Sequence, residues 1–344
     1  MGVKVAIIDS AISRDSVLIE TKKRSEYCIE DGRVVGKEKI NTGCTHGTHV
    51  LNNILYECSD IEVISVEILD QNNKGKALDL LKALEFCIQE KVSFINISLG
   101  ISTTNTVFID ALKIQCDKAV ERGIVIISAR ENSGANSYPA SFSNVISVSS
   151  NHNNAKEEYV SYDEEQNDIC FCSADIMSKG NNNFEILTGN SYLCGYVTGV
   201  VSSCHKTISN LDEAKKAIKL YGDTTIKNRI FIKPFFENEL SGNTQFVHFG
   251  DNPFDIYLKE ILDVKTRSDN WLDVKNKRCL DVDAVVFGAI ILPCEPQLKE
   301  DILNWLVCMN NKIRRVYCLA PIFNTRERYE ISKKYNIYIR EIYI

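Results

Sequence analysis

Short continuous apolar runs alternate with helix-spaced ones through the first two-thirds of the chain. Val3–Ile8, Glu62–Ile68, Val92–Ser98, Ile124–Ser128 and Asn144–Ser149 read as strands. Between them, Asp79–Glu90 sets Leu80, Leu81, Leu84 and Ile88 at near-helical spacing and is predicted helical. Ile109–Arg122 is a second helix, stopped by Gly123. Val50–Leu55 and Ser191–Ser203 are two more. Strand, helix, strand in this order implies βαβ crossovers and a parallel sheet. Sites in such sheets form at the carboxyl ends of strands. Asp9 ends the first strand, and Asn132 follows the Ile124–Ser128 strand. His46 lies on the turn before a helix, and Ser191 opens one.

A polar stretch, Asn238–Thr244, reads as a linker. Beyond it the pattern restarts. Gln245–Phe249, Ala284–Ile291, Arg314–Leu319 and Ile337–Tyr343 are predicted strands. Asp255–Leu262, Gln297–Met309 and Thr325–Lys334 are predicted helices. The expected fold class is therefore α/β throughout: a large domain over 1–238 and a small Rossmann-like α/β domain over 239–344. A length of 344 residues fits two domains at roughly 100–200 residues each.

Charge and cysteine content narrow the classes. With 40 Lys+Arg against 46 Asp+Glu, the chain lacks the basic footprint of a phosphate-backbone binder, and no nucleic-acid partner is expected. No apolar stretch is long enough to span a membrane, and the N-terminal run is too short for a signal peptide. The 13 Cys are odd in number and widely spread, unlike a disulfide scaffold, so a reducing, cytoplasmic compartment is expected. Cys170-Phe171-Cys172 is a close pair, but no CxxC pair occurs, and no metal or cofactor is expected.

Asp9, His46 and Ser191 stand in the order acid, base, nucleophile, with Asn132 as an amide donor. Serine-based acyl transfer needs one group of each kind. Taken singly, each is ordinary: an Asp after a strand is usually a turn residue, and a lone His is usually structural. The surrounding blocks single them out. Ile7-Ile8-Asp9-Ser10-Ala11, His46-Gly47-Thr48-His49-Val50, Phe94-Ile95-Asn96-Ile97-Ser98-Leu99-Gly100, Asn132-Ser133-Gly134, Tyr138-Pro139-Ala140 and Gly189-Asn190-Ser191-Tyr192 resemble, in order, the motifs of subtilisin-like serine proteases. The resemblance covers about residues 3–235. It implies Ser191 as nucleophile, His46 rather than His49 as base, Asp9 as its orienter and Asn132 as oxyanion donor, beside the Ser191 N–H. It also implies that Gly75, Lys76 and Ala77, with Ser98, Leu99 and Gly100, line the substrate strand. The first side-chain pocket would be framed by Ser98–Gly100 and Ala129–Asn132, where Arg130 or Glu131 would read a charged side chain.

Several residues depart from the family pattern. Arg130-Glu131 replaces the usual Ala-Gly, and a carboxylate beside a developing oxyanion is unfavourable unless it points away or pairs with Arg130. Asn190 replaces Thr, Tyr192 replaces Met, and Cys194-Gly195-Tyr196 replaces Ser-Pro-His. Cys44 and Cys194 lie close in sequence to His46 and Ser191, either as buried small hydrophobes or as points of thiol-reagent sensitivity. Calcium, common in the family, has no ligand cluster here. With the first strand starting at residue 3, an intracellular enzyme without a propeptide is expected. The expected partner is a peptide or protein substrate, specifically one cognate peptide such as the leader of a ribosomally made bacterial peptide. The small domain is expected to recognise substrate, form a homo-oligomer or give structural support. The alternative is a catalytically weak or inactive scaffold that binds peptide on the same fold.

Overall fold

The structure is a computed structural model describing residues 3–13, 21, 23–37, 45–150, 160–163, 165, 167–171, 175–179, 184–204, 208, 210–222, 229–231, 244–249, 268–276, 282, 284–288, 296–309, 313, 315–318 and 322–343. The chain divides into two compact units, Met1–Asn181 with Ile186–Gly222, and Asn182–Glu185 with Asp223–Ile344.

In the first unit, β1 (Val3–Ser10) is the apolar run, buried along nearly its whole length. Strands buried on both faces lose the polar alternation of a half-exposed strand. Parallel neighbours flank it: β4 (Ile61–Leu69) on one side and β5 (Phe94–Ile97) on the other. Outward from β4 come β2 (Lys23–Glu30) and β3 (Arg33–Gly36), joined as an antiparallel hairpin. Outward from β5 come β6 (Val125–Ala129), β7 (Ile146–Ser150), β9 (Asp168–Phe171) and antiparallel β8 (Val160–Asp163). The order is β3-β2-β4-β1-β5-β6-β7-β9-β8. β10 (Asp175–Lys179) and β11 (Phe184–Thr188) form a separate two-stranded sheet. β2, β3 and β8 to β11 were not expected from the apolar pattern. β2, for example, is half-exposed along most of its length and lacks a continuous apolar run.

The helices cover both faces of the sheet. α2 (Ala77–Gln89) and α3 (Thr106–Glu121) bury Leu80, Leu84, Leu112 and Cys116 against Ala6, Ile8, Ile64 and Val66. Full burial of an aliphatic side chain is worth about 1.5–3 kcal/mol, so this layer is a large share of the apolar driving force. α1 (His46–Glu57) contacts β1, and α4 (Asn190–Ser203) contacts β5, β6 and β7. α5 (Leu211–Gly222) packs on α4.

α4 is buried along most of its length, so its neighbours must approach closely. A Cβ at Gly195 would lie 2.8 Å from the Val50 carbonyl oxygen, and one at Gly199 2.6 Å from that of Ile54. These glycines bring the backbones of α1 and α4 together. α4 runs unbroken through Gly195, which serves helix packing where the family pattern has a proline.

The second unit is a parallel sheet in the order β12-β17-β16-β15-β13-β14. Its strands are β12 (Arg229–Phe231), β13 (Thr244–His248), β14 (Ser268–Asn270), β15 (Ala284–Gly288), β16 (Arg315–Cys318) and β17 (Tyr338–Tyr343). β13 to β17 alone follow a doubly wound 2-1-3-4-5 order. α6 (Trp271–Val274), α7 (Pro296–Cys308) and α8 (Thr325–Tyr335) accompany it. The core contains Phe287, Trp271 and Trp305, with Trp271 edge-on to Trp305 at 5.7 Å. α8 starts in a capping box in which Asn324 and Glu327 each bond the other's backbone N–H. The helix expected over Asp255–Leu262 lies outside the described residues. No helix among the described residues is long and apolar enough to cross a membrane.

The close approach of α1 and α4 gives a direct test. Gly199→Ala is expected to cost roughly 1–3 kcal/mol through overpacking. Urea denaturation would show it as a lower midpoint at an unchanged slope. A wild-type midpoint would refute the backbone contact.

Candidate active site

The carboxyl end of the first sheet gathers side chains from four separate segments. Asp9, next to last in β1, has no exposed surface. A register shift between Asp9 and Ser10 breaks the ladder there, and the Ser10 N–H donates to Asp9 Oδ1 at 2.6 Å. The following turn is tied to the start of α1. Thr45 caps that helix by accepting from the Thr48 N–H, and its hydroxyl donates to the Ala11 carbonyl. Thr48 Oγ1 accepts from the Ser13 N–H at 2.9 Å, and Ser10 Oγ from the Gly47 N–H at 2.9 Å. These bonds place His46, the first residue of α1, over Asp9.

His46 Nδ1 lies 2.8 Å from Asp9 Oδ1, and its Nε2 lies 2.8 Å from Ser191 Oγ. The carboxylate can only accept, so Nδ1 carries the proton and Nε2 faces the hydroxyl as acceptor. Burial pushes the imidazole towards its neutral form, but the hydrogen bond and charge of Asp9 prevail and hold its pKa above the usual value near 6.5. The stability sign follows. The Asp9–His46 attraction stabilises the fold fully below about pH 6.5 and fades as pH rises through the raised folded value. The Tyr192 ring sits 5.0 Å from the imidazole, with His49 edge-on to that ring at 6.1 Å.

Ser191 is the second residue of α4, preceded by Gly189 at φ 150°, a backbone shape that side-chain-bearing residues rarely adopt. Its carbonyl accepts from Ser98 Oγ at 2.9 Å. Ser98 is buried, with its hydroxyl 2.8 Å from Asn96 Oδ1. Asn96 Nδ2 reaches Thr198 Oγ1 at 2.8 Å and Cys194 Sγ at 3.3 Å. A buried polar chain thus ties β5 to α4. The motif reading missed this role of Asn96, although an Asn inside the apolar run Phe94-Ile95-Asn96-Ile97 signals a buried amide that needs partners.

Asn132 stands beside this group. Its Oδ1 accepts from the Asn190 N–H at 3.0 Å, so the Nδ2 hydrogens are its remaining donors. Glu131 does not pair with Arg130. It accepts from the Ser133 N–H at 2.8 Å and from the Ser133 hydroxyl, which hold its carboxyl below the usual range. Arg130 donates from Nε to Asp168 Oδ1 at 3.0 Å. Leu99 is half-buried against the core, and Gly100 is exposed. Gly75, Lys76 and Ala77 lie at the start of α2, past the end of β4, where Leu69 pairs with Ser10. Cys194 is fully buried, and burial pushes its thiol up to about 12. Cys44 lies outside the described residues. The arrangement as a whole holds a base between a buried carboxylate and a hydroxyl at a helix start, with an amide donor nearby.

Comparison with known proteins places this geometry in a family. The subtilase family model matches residues 1–221, and the chain belongs to that family. Subtilisin NAT of Bacillus subtilis subsp. natto is 29% identical over 207 residues, covering 56% of this chain and 50% of the relative. Subtilisin BL of Lederbergia lenta is 27% identical over 205 residues, covering 56% and 68%. The chain thus spans about half the length of curated relatives such as subtilisin NAT. Among solved structures, a lanthipeptide protease aligns with TM-score 0.50 at 17% identity, covering 65% of this chain and 80% of that one. That likeness bears on the subtilisin-like fold alone.

Two measurements test the site. In NMR titration the His46 imidazole should titrate above pH 6.5 in wild type. In Asp9→Asn it should fall below that value, because burial is then the main influence. An unchanged midpoint would remove Asp9 as the cause. Cys194 should resist iodoacetamide in the folded protein and react on unfolding, as peptide mapping would show. Stoichiometric native labelling would contradict its burial.

Proposed function

We propose that the protein is a serine endopeptidase in which Asp9, His46 and Ser191 act as a triad. The observation that carries this reading is the continuous 2.8 Å chain from Asp9 through His46 to Ser191 Oγ. His46 Nε2 takes the Ser191 proton as Oγ attacks the scissile carbonyl carbon. The carbonyl oxygen becomes an oxyanion and receives hydrogen bonds from Asn132 Nδ2 and the Ser191 N–H. The C–N bond then breaks, and His46 returns its proton to the leaving amine. Water, deprotonated by His46, hydrolyses the acyl-enzyme. Asp9 fixes the tautomer and stabilises the imidazolium.

The substrate reading is one cognate peptide, such as the leader of a ribosomally made bacterial peptide, cut in a reducing compartment. A second α/β unit beyond the family-matched residues favours narrow recognition over general digestion. Cys28, Cys58, Cys87, Cys116, Cys194 and Cys308 carry free thiols, which favours the compartment. For the second unit we propose recognition of that peptide.

Side-chain selection is proposed for the gap between Ser98–Gly100 and Ala129–Asn132, at the ends of the neighbouring strands β5 and β6. Ser137 bridges this gap. It has no exposed surface, and its Oγ accepts from the Glu131 N–H at 3.0 Å. A Cβ on Gly100 would lie 2.8 Å from the Ser137 side chain. Asp168 engages the Arg130 charge, and Glu131 bonds Ser133. This favours a small, uncharged residue on the acyl side of the scissile bond over a charged one.

A fluorophosphonate probe should label Ser191 in wild type and not in Ser191→Ala. Absence of labelling in the folded protein would favour the peptide-binding scaffold instead. Quenched peptides should be cut faster after Ala than after Leu, and Ser137→Gly should narrow that preference by about tenfold. Equal preference in both proteins would disprove the role of Ser137.

A further inference from the structure

Asn190, where the family pattern has threonine, does more than precede the nucleophile. It is 2% exposed and uses its backbone donor and both ends of its side-chain amide. Its N–H donates to Asn132 Oδ1 at 3.0 Å. Its Nδ2 donates to the Arg130 carbonyl at 3.1 Å. The Arg130 carbonyl can only accept, which settles which end of the amide faces it, and Oδ1 then accepts from Ser150 Oγ at 2.6 Å. One residue of α4 therefore grips the segment leaving β6 at two points, two residues apart, and is itself held by the end of β7.

The segment it grips is also held from behind. The Arg130 N–H donates to the Val148 carbonyl at 2.8 Å. The Arg130 guanidinium bonds Asp168, whose two carboxylate oxygens also accept from Ser147 and Ser149 at 2.6 Å each. The departures at Arg130 and Asn190 thus meet. Arg130 ties the segment outward to β9, and Asn190 ties the same residue's carbonyl inward to the nucleophile helix. A threonine hydroxyl is one atom, whereas the amide sets separate donor and acceptor atoms at the positions that Arg130 and Ser150 require.

We propose that Asn190 is a positioning residue for the oxyanion donor. It clamps Arg130–Asn132 to α4, so that the Asn132 Nδ2 and Ser191 Oγ keep a fixed relation. The proposal rests on the endopeptidase reading above. Oxyanion stabilisation depends on donors set in place before charge develops, so loosening the clamp slows attack on the electrophile without removing any reacting group.

The test uses the full chain and an ethoxyfluorophosphonate probe, with Ser191 labelling rates read by intact mass. Asn190→Asp keeps the size but sets a carboxylate oxygen against the Arg130 carbonyl. Ser150→Ala removes only the bond to the amide oxygen. Asn190→Asp should label about tenfold more slowly, a fraction of the roughly 10²–10³ lost with an oxyanion donor, a scale established on a subtilisin. Ser150→Ala should fall between it and wild type. In an Asn132→Ala background neither substitution should slow labelling further, because the clamp acts through Asn132. Losses that simply multiply in that background would overturn the proposal. So would wild-type labelling rates in folded Asn190→Asp and Ser150→Ala accompanied only by lowered Tm, the mark of a purely structural residue. If Asn190→Asp does not fold, the Ser150→Ala cycle decides alone. A folded wild type that does not label at all sinks the endopeptidase reading itself, an outcome visible before any variant is made.

Discussion

A carboxyl group with no exposed surface, Asp9, sets the terms for the large unit. Taking an ion out of water costs several kcal/mol unless the charge is paired and hydrogen-bonded. Asp9 meets that demand through Oδ1, which takes the Ser10 N–H and the His46 ring, while its buried Oδ2 has no hydrogen-bond partner among the described residues. Both partners depend on the break in the β1 ladder and on the cap at Thr45, which lands the start of α1 over the strand end. Ser191 Oγ then meets the far side of the His46 ring. The imidazole is held in one tautomer, and only one of its nitrogens is left to face Ser191.

α4 is the second organising element. It passes through the interior, so its surface residues are chosen by what they touch. Gly195 and Gly199 admit the backbone of α1, and Thr198 and Cys194 meet Asn96 from β5. Its first residues complete the site. By the same packing, a thiol three residues from Ser191 is expected to be inert, because burial disfavours the thiolate that would react. Among the family departures at Arg130, Glu131 and Asn190, the Glu131 carboxylate looks unfavourable when taken alone. In place, Glu131 is satisfied by Ser133, Arg130 by Asp168, and Asn190 by three partners.

The second unit has its own core, with Trp271, Phe287 and Trp305 packed under a doubly wound sheet. Its strands β13, β15, β16 and β17 were legible because each is a short apolar or β-branched run bounded by polar residues. β14 (Ser268–Asn270) was not, being three polar residues paired only at the sheet edge. β12 was missed as well: it pairs with β17 although it precedes the polar stretch read as a linker.

In the first unit, apolar periodicity located β1, β4, β5, β6, β7 and α1 to α4 within a few residues, because burial of one face is a local, repeating demand on sequence. Motif order likewise singled out Asp9, His46, Asn132 and Ser191, since each lies at the end of an element that the pattern reveals. What the sequence could not contain is which polar atom meets which. His46 and Ser191 are 145 positions apart, and Asn96 and Thr198 are 102 apart. Sequence reading weighed Glu131 against the oxyanion and Arg130 as its possible partner, and the folded chain gave both different partners. Hydrogen bonds act over about 3 Å, so they are decided only once packing has brought the strand ends and helix starts together.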